Sequence, residues 1–480
     1  MKLKYFCKIK FFIVGSFLLF VAARQISLAG QLKSPKLRDI EIPKIQRVTL
    51  DNGMQLFVVE DRQLPVIQIQ AMIRTGSIYD PADKIGLAAV TAKVMRTGGT
   101  AAKTGDEIDR LLENAAATVE TRVEQNCGYA DLWSIKENFD TVLPVLADVL
   151  MNPVFRQDKI ELAKIGFRTE IAQRNDELFS IGSREFKKLI YGPNSVWARQ
   201  IEYDTIDGIS RDDLIAFHKK FYHPNNVMLS VCGDFNAAQM IKKIQAAFKD
   251  WQKMEVQLPD VPKVQYEYRQ TVNLIRKKDT NQTGVYLGHI DGLRSDPDFY
   301  ALVVMNRVLG EGFTSRLFKN VRSRQGLAYD VYGAYRADYD HPGIFYVGCQ
   351  TKSATTVRAI RAMMEQVKLM TESEVTDEEL AIAKESYLNS YVFNFDTKSK
   401  IVNRMMTFEY FGYPADFLQK TKENIEKVSK KDVLQVARKH LRPDKMQILA
   451  IGRPQDFNEP LSVLGQVREI DINIPPPKGK

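Results

Sequence analysis

The sequence predicts an α+β protein of two homologous lobes, each an antiparallel-rich sheet packed by helices, in effect a tandem-duplicated α/β sandwich. Two observations carry this. Residues 209–233 (ISRDDLIAFHKKFYHPNNVMLSVCG) recur at residues 428–452 (VSKKDVLQVARKHLRPDKMQILAIG), with a constant offset of 219 and no gap. Asp213 falls on Asp432, Pro224 on Pro443 and Gly233 on Gly452, so a helix, a breaker and an apolar strand ending in glycine repeat in order. Within a lobe, runs of period two give way to runs of helical spacing, the pattern of a sheet covered by helices. A chain of 480 residues is too long for one core. Two facing lobes are expected to leave a cleft or chamber between them, with chemistry where the lobes differ.

The elements of the first lobe follow from local signals. Residues 48–59 and 65–74 alternate apolar and polar as strands do, and Asp51-Asn52-Gly53 is the chemistry of a hairpin turn. Residues 87–96 read as a helix stopped by Gly98-Gly99, and residues 105–115 as a second, capped by Thr104 with Glu107 three residues on. Residues 118–135 read as a strand pair, and 138–150 and 158–174 as helices. The repeated helix and strand close the lobe.

These runs divide the chain into a leader (1–29), a first lobe (30–250), a linker (251–270), a second lobe (271–457) and an extended, mobile tail (458–480). The linker is marked by the proline-bearing QLPDVPK of residues 257–263, and the tail by its ending INIPPPKGK. In the leader, four lysines precede the apolar residues 11–23 and Ser27-Leu28-Ala29 offers a small-x-small cut, the layout of a secretory signal. The run is short of the roughly 20 apolar residues that span a bilayer. The expected location is therefore periplasmic or secreted, with an uncleaved membrane anchor as the alternative.

Charge and cysteine narrow the classes. The formal charge of +9 falls to +4 once the five basic residues of the leader are removed, so basicity makes no argument for nucleic acid. Cys127, Cys232 and Cys349 lie in apolar, strand-like runs and read as buried free thiols, with one bridge as the alternative in an exported chain.

The order Gly86-Leu87-Ala88, Thr97-Gly98-Gly99-Thr100, Asn152-Pro153-Val154-Phe155, Val231-Cys232-Gly233-Asp234-Phe235, Ser315-Arg316-Leu317-Phe318 and Gly326-Leu327-Ala328-Tyr329 resembles the short, two-lobed insulinase/pitrilysin (inverzincin) metallopeptidases. The resemblance covers roughly residues 42–456. Active members carry His-x-x-Glu-His after the Gly-Leu-Ala sequence, two imidazoles binding zinc and the glutamate acting as base. The matching positions here are Ala89, Ala92 and Lys93, which offer no ligand and no base. None of the five histidines, His218, His223, His289, His341 and His440, forms a zinc spacing, so no metal or other cofactor is expected in this chain. Glu170 matches the family's third ligand, 77 residues beyond Lys93, and an ion pair between them is the expected remnant; a solvated helix residue is the alternative.

The resemblance also implies an arginine and a tyrosine, seven residues apart, that support the oxyanion; here they are Arg322 and Tyr329. Gly326 suits a left-handed stop between them. Tyr332 and Tyr335 could line the same wall, and Gly310-Glu311-Gly312 resembles a shortened form of the glycine-rich substrate loop of non-catalytic subunits. A lobe without metal ligands beside a lobe that keeps the pair implies the non-zinc subunit of a heterodimer. Its partner is a homologous zinc-bearing subunit and its substrate a peptide or unfolded small protein. The alternative is an inactive scaffold or chaperone on the same fold.

Overall fold

The computed structural model describes residues 40–414 and 416–477, so the expected leader lies outside the described residues. In the first lobe β1 (Gln46–Thr49) and β2 (Gln55–Glu60) form the predicted hairpin, with Gly53 at φ +88° in its turn. Then come β3 (Val66–Ile73), α1 (Leu87–Thr97) and α2 (Gly105–Asn114), the last opened by the Thr104–Glu107 capping box. The pair β4 (Thr118–Val123) and β5 (Gly128–Ile135) follows, then α3 (Phe139–Met151), α4 (Gln157–Gln173) and α5 (Leu178–Tyr191). The lobe closes with α6 (Tyr203–Asp207), α7 (Arg211–Phe221), β6 (Val227–Gly233) and α8 (Ala237–Ala247).

The second lobe repeats the plan: β7 (Thr271–Arg276), β8 (Gln282–Asp291), α9 (Phe299–Leu309), β9 (Ala328–Arg336) and β10 (Gly343–Lys352). Helices α10 (Thr356–Glu372), α11 (Asp377–Tyr391), α12 (Lys398–Tyr410), α13 (Phe417–Lys427) and α14 (Lys430–His440) lead to β11 (Gln447–Gly452) and β12 (Val467–Glu469). The duplication is visible in detail. Helices α7 and α14 span 11 residues each and open on the same capping box, Ser210 with Asp213 and Ser429 with Asp432.

The sheets run β1-β2-β6-β3-β5-β4 and β12-β7-β11-β8-β10-β9. Five positions correspond, and the sixth is filled by different ends of the chain. In the first sheet β1 pairs antiparallel with β2; in the second, the tail supplies β12, parallel to β7. One face of the first sheet takes α1, α3 and α7, where Val90, Val94, Val142, Leu146, Leu214 and Phe217 pack on Leu56, Ile69 and Val231.

The other face of each sheet is covered by a helix from the opposite lobe. Helix α12 lays Val402, Met406 and Tyr410 on Phe57, Val59, Met72 and Met228 of the first sheet. Reciprocally, α5 lays Ile181, Phe186 and Ile190 on Ile275, Tyr286 and Leu449 of the second. The Tyr410 hydroxyl donates to the Asn126 carbonyl at 2.9 Å, and Lys398 Nζ to that of Glu60 at 3.1 Å, which fixes the exchange. The expected cleft or chamber between the lobes is present but reduced, because burying the sheet faces against exchanged helices removes more apolar surface from water than a solvent-filled gap. The seam keeps a cavity of about 760 Å³ walled by Tyr79, Trp197, His341 and Tyr410, beside linker residues 258 and 261–264.

The tail is extended but docked, against the expectation of mobility. After β12, Ile470 N–H donates to the Leu274 carbonyl at 2.9 Å, Asn175 Nδ2 to that of Ile472 at 2.7 Å, and Ile474 packs on the first-lobe core. Its alternating isoleucines supply the anchors. Cys127, Cys232 and Cys349 are free and buried, packing as small apolar side chains.

Candidate functional site

Helix α1 begins at Gly86, whose φ of +106° turns the chain into the helix. The Gly86 and Ala88 N–H groups donate to the two carboxylate oxygens of Asp80, both at 2.8 Å. Burial raises the Asp80 pKa to about 6, outweighing the stabilisation of the anion by those N–H groups. The three motif positions follow on this helix. Ala89 is half-buried, Ala92 is buried and Lys93 is exposed. One turn on, Arg96 is tied down, its Nε donating to the Val119 carbonyl at 2.9 Å and its Nη1 meeting Asp109. Two methyl groups and an ammonium give zinc neither a lone-pair ligand nor a base, so these residues do not fit the metal.

The proposed remnant pair does not form. Glu170, on the neighbouring α4, is exposed like Lys93, and no ion pair joins them among the described residues. Both side chains are solvated where they stand, and an exposed pair gains at most about 1 kcal/mol, too little to order two long side chains. Among the described residues, the group of histidine and carboxylates close enough to hold an ion is Asp296, Asp298 and His440, in the second lobe. Two of its members are already paired: Asp298 Oδ2 takes Lys439 Nζ at 2.5 Å and His440 Nε2 at 2.9 Å, and His440 Nδ1 lies 2.9 Å from Asp291. The other histidines also serve packing, with His218 Nε2 at 2.8 Å from the Leu150 carbonyl and His223 Nε2 at 2.7 Å from that of Lys219.

The second lobe brings Arg322 and Tyr329 together. Residues Phe318–Arg324 form a π-helix that ends at Gly326, φ +61°, the left-handed stop expected there. Gly326 N–H returns to the Arg322 carbonyl and Leu327 N–H to that of Val321, both at 3.0 Å. Strand β9 then starts with an irregularity: Ala328 pairs with Thr351 and Asp330 with Gln350, leaving Tyr329 as the extra residue of a β-bulge. A bulge re-aims the side chain it carries. Tyr329 is 80 % exposed, far outside the range usual for a tyrosine in a sheet. The Arg322 guanidinium carbon lies 4.4 Å from the centre of the Phe318 ring and 5.8 Å from that of Tyr329. Among the described residues no carboxylate pairs with Arg322. A cation and a phenol, both with donors open to solvent, therefore stand on either side of one tight turn at the free β9 edge.

Two parts of this site escaped the sequence reading. One is the bulge, whose trace is the pair Tyr329-Asp330, adjacent exposed residues that break the alternation. The other is Phe313, 78 % exposed after Gly310-Glu311-Gly312 and edge-on to Phe318 at 5.1 Å. Tyr332 and Tyr335 do not extend the wall. The Tyr332 ring packs at 6.4 Å from Phe179 of α5 and 6.0 Å from Tyr346, within the cross-lobe cluster, and the buried Tyr335 hydroxyl sits against Gly292. Three residues apart in continuous register on β9, they point to opposite faces of the sheet, and each is half-buried there.

Comparison with known proteins bears on the family and the fold. The family described as insulinase (peptidase family M16) matches residues 57–187, and the peptidase M16 inactive domain matches residues 208–387. The chain is 26 % identical over 390 residues to the "Non-peptidase homolog YmxG" of Helicobacter pylori, covering 79 % of this chain and 88 % of that one. It is equally 26 % identical over 364 residues to the "Uncharacterized zinc protease YmxG" of Bacillus subtilis, covering 75 % and 87 %. The fold matches a peptidase M16 inactive domain from Pseudomonas fluorescens with a TM-score of 0.77 and 23 % identity, over 85 % of this chain and 98 % of that one. It also matches the periplasmic protease PqqL of Escherichia coli with a TM-score of 0.72 and 12 % identity, over 88 % of this chain but 48 % of that one. The two M16 matches together cover more than half of the sequence, and the chain belongs to the insulinase-type peptidase family M16, as a homologue whose first lobe lacks the metal-binding residues.

Proposed function

We propose that this chain is the non-zinc subunit of a heteromeric metallopeptidase, supplying Arg322 and Tyr329 to the site of a homologous zinc-bearing partner. The observation that carries the reading is Tyr329, held out of its own sheet by a bulge and 80 % exposed beside Arg322. A scaffold gains nothing from exposing these two groups, whereas a developing oxyanion is stabilised by fixed donors. Zinc, water and base belong to the partner. The edge strand β9 offers unpaired backbone groups to an extended peptide, a sequence-tolerant mode of capture. That one chain of this architecture matches 48 % of the length of the PqqL protease is in keeping with two such units enclosing one chamber. The basic, apolar leader supports a periplasmic or secreted location, or an anchored one if the leader is kept.

The name of the Helicobacter pylori relative favours a second reading, a scaffold without peptidase function. Co-expression with a zinc-bearing homologue and a peptide-cleavage assay separates the two. The subunit reading expects cleavage by the complex alone, lost on Tyr329→Phe. Unchanged turnover in that variant leaves the scaffold, and zinc-dependent cleavage by the isolated chain overturns both.

A further inference from the structure

We propose that a pocket inside the helical layer of the second lobe binds a small tetrahedral oxyanion, a phosphate group being the natural occupant. The pocket, about 190 Å³, lies where α9, α11, α12 and α13 meet, away from the Arg322–Tyr329 turn. Three guanidinium groups line it, those of Arg294, Arg307 and Arg404, with the hydroxyls of Ser390, Tyr391 and Thr421, and no carboxylate is in the lining.

The charge is incompletely matched by the protein. Arg307 Nη2 meets Glu311 at 3.1 Å and donates to Ser390 Oγ at 2.9 Å, and its Nη1 donates to Ser386 Oγ at 3.2 Å, but its buried Nε has no acceptor. Arg294 gives its Nη1 to the Tyr339 hydroxyl at 2.9 Å and its Nε to the Ala337 carbonyl at 3.3 Å, both neutral acceptors. The half-buried Arg404 has no hydrogen bond or ion pair among the described residues. Two of the three cations therefore lack a paired anion in a pocket whose other walls are Tyr387, Asn394 and the rings of Phe299, Phe395, Phe408 and Phe417.

Such an arrangement is costly as it stands. A cation withdrawn from water needs a partner, and a buried N–H without an acceptor is destabilising. A tetrahedral dianion answers both at once: it carries the missing charge and offers oxygens for Arg307 Nε, Arg404 and the buried Tyr391 hydroxyl, which has no hydrogen-bond partner among the described residues. The Ser390 and Thr421 hydroxyls already donate to the Tyr387 and Phe417 carbonyls. Guanidinium groups favour this occupant because their planar forks take two oxygens of one group in parallel. The apolar rings lower the local dielectric and strengthen each contact. This site is independent of the peptidase reading and stands if that reading fails.

The test is calorimetric titration and thermal denaturation of the full chain with inorganic phosphate, against acetate and chloride at matched ionic strength. Phosphate is expected to bind saturably and to raise Tm with concentration. Arg404→Gln is expected to weaken binding by about tenfold or more, and Arg404→Lys, which keeps the charge but loses the fork, by less. Since Arg404 is half-buried, the lysine variant guards against a folding defect in the glutamine one. A phosphate response no larger than that of chloride, binding of acetate as tight as phosphate, or phosphate affinity unchanged in both variants overturns the proposal.

Discussion

Gly182 of α5 lies directly against the ring of Tyr286 on β8, leaving no room there for a Cβ atom. This contact sets the distance at which the first lobe's helix approaches the second lobe's sheet. Ile181 and Phe186 then fill the space on either side. A methyl group at position 182 must push the helix away from the sheet or turn the ring out of the cross-lobe aromatic cluster. Gly182→Ala is therefore expected to destabilise the chain by about 1–3 kcal/mol, the usual cost of overpacking, despite the better helix propensity of alanine. Denaturant unfolding measures it. An unchanged midpoint would mean that α5 does not bear on the sheet as described.

The Arg322–Tyr329 turn makes a kinetic prediction in the zinc-bearing complex. Tyr329→Phe removes the hydroxyl and leaves the ring and bulge in place, so stability should not move. Turnover should fall by about 100-fold, the scale of losing one oxyanion donor. Arg322→Gln should act in the same direction, with a further rise in KM if the guanidinium also holds substrate. Both variants melting as the wild type while kcat drops is the expected signature, and kcat within a factor of about two of wild type in both would refute the assignment.

Phe313 is expected to act on substrate binding alone. It is exposed on a loop and braced edge-on by Phe318, the same ring that carries Arg322, which makes it a preset apolar contact beside the cation. Phe313→Ser should leave the melting curve in place and raise KM for peptides with large apolar side chains by about tenfold, about 1.4 kcal/mol, within the transfer free energy of one such side chain. Equal effects on small and large side chains would show that the ring does not meet the substrate.

How much of this could be read from the sequence depends on the range of each interaction. The hairpin at Asp51-Asn52-Gly53, the Thr104 cap and the stop at Gly326 rest on contacts within six residues, and their residue types state their geometry. The exchange of α5 and α12 does not. Nothing in the periodicity of residues 178–191 says that their apolar face meets a sheet about 100 residues later rather than the nearest one, and Gly182, the one trace of close approach, is a single residue. The same limit explains Lys93 and Glu170. Matching the motif placed them on adjacent helices, but their distance and solvation depend on how α1 and α4 are rotated about their axes.

Histidine 218 gives a pH prediction. Desolvation between Phe155 and Tyr222 lowers its pKa from 6.5 to about 4, and the hydrogen bond to the Leu150 carbonyl only partly offsets this. Because the folded value lies below the unfolded one, the unfolded chain takes up the proton first as pH falls. Stability from this residue is thus full above pH 6.5 and is lost as pH drops towards 4. After allowance for partial exposure the loss is about 1–3 kcal/mol. His218→Gln keeps a donor towards Leu150 without the titration, so its unfolding free energy should fall less between these pH values. Parallel curves for the two proteins would show that His218 does not titrate in the folded state as described.

The tail gives the last prediction. Strand β12 covers the edge of β7, and Ile470, Ile472 and Ile474 carry the chain from the second sheet to the first-lobe core. Removing residues 466–480 exposes the β7 edge, a row of unpaired N–H and carbonyl groups able to pair with another chain. It also returns three half-buried isoleucines to water, about 1 kcal/mol each at half burial. The truncated chain should unfold with about 3 kcal/mol less stability and elute earlier from a sizing column as concentration rises. Ile472→Asp in the full-length chain separates the two effects: β12 still covers the edge, so stability should drop without self-association. A truncated chain that melts like the wild type and stays at the same size would show that the tail is a passenger rather than a clamp between the lobes.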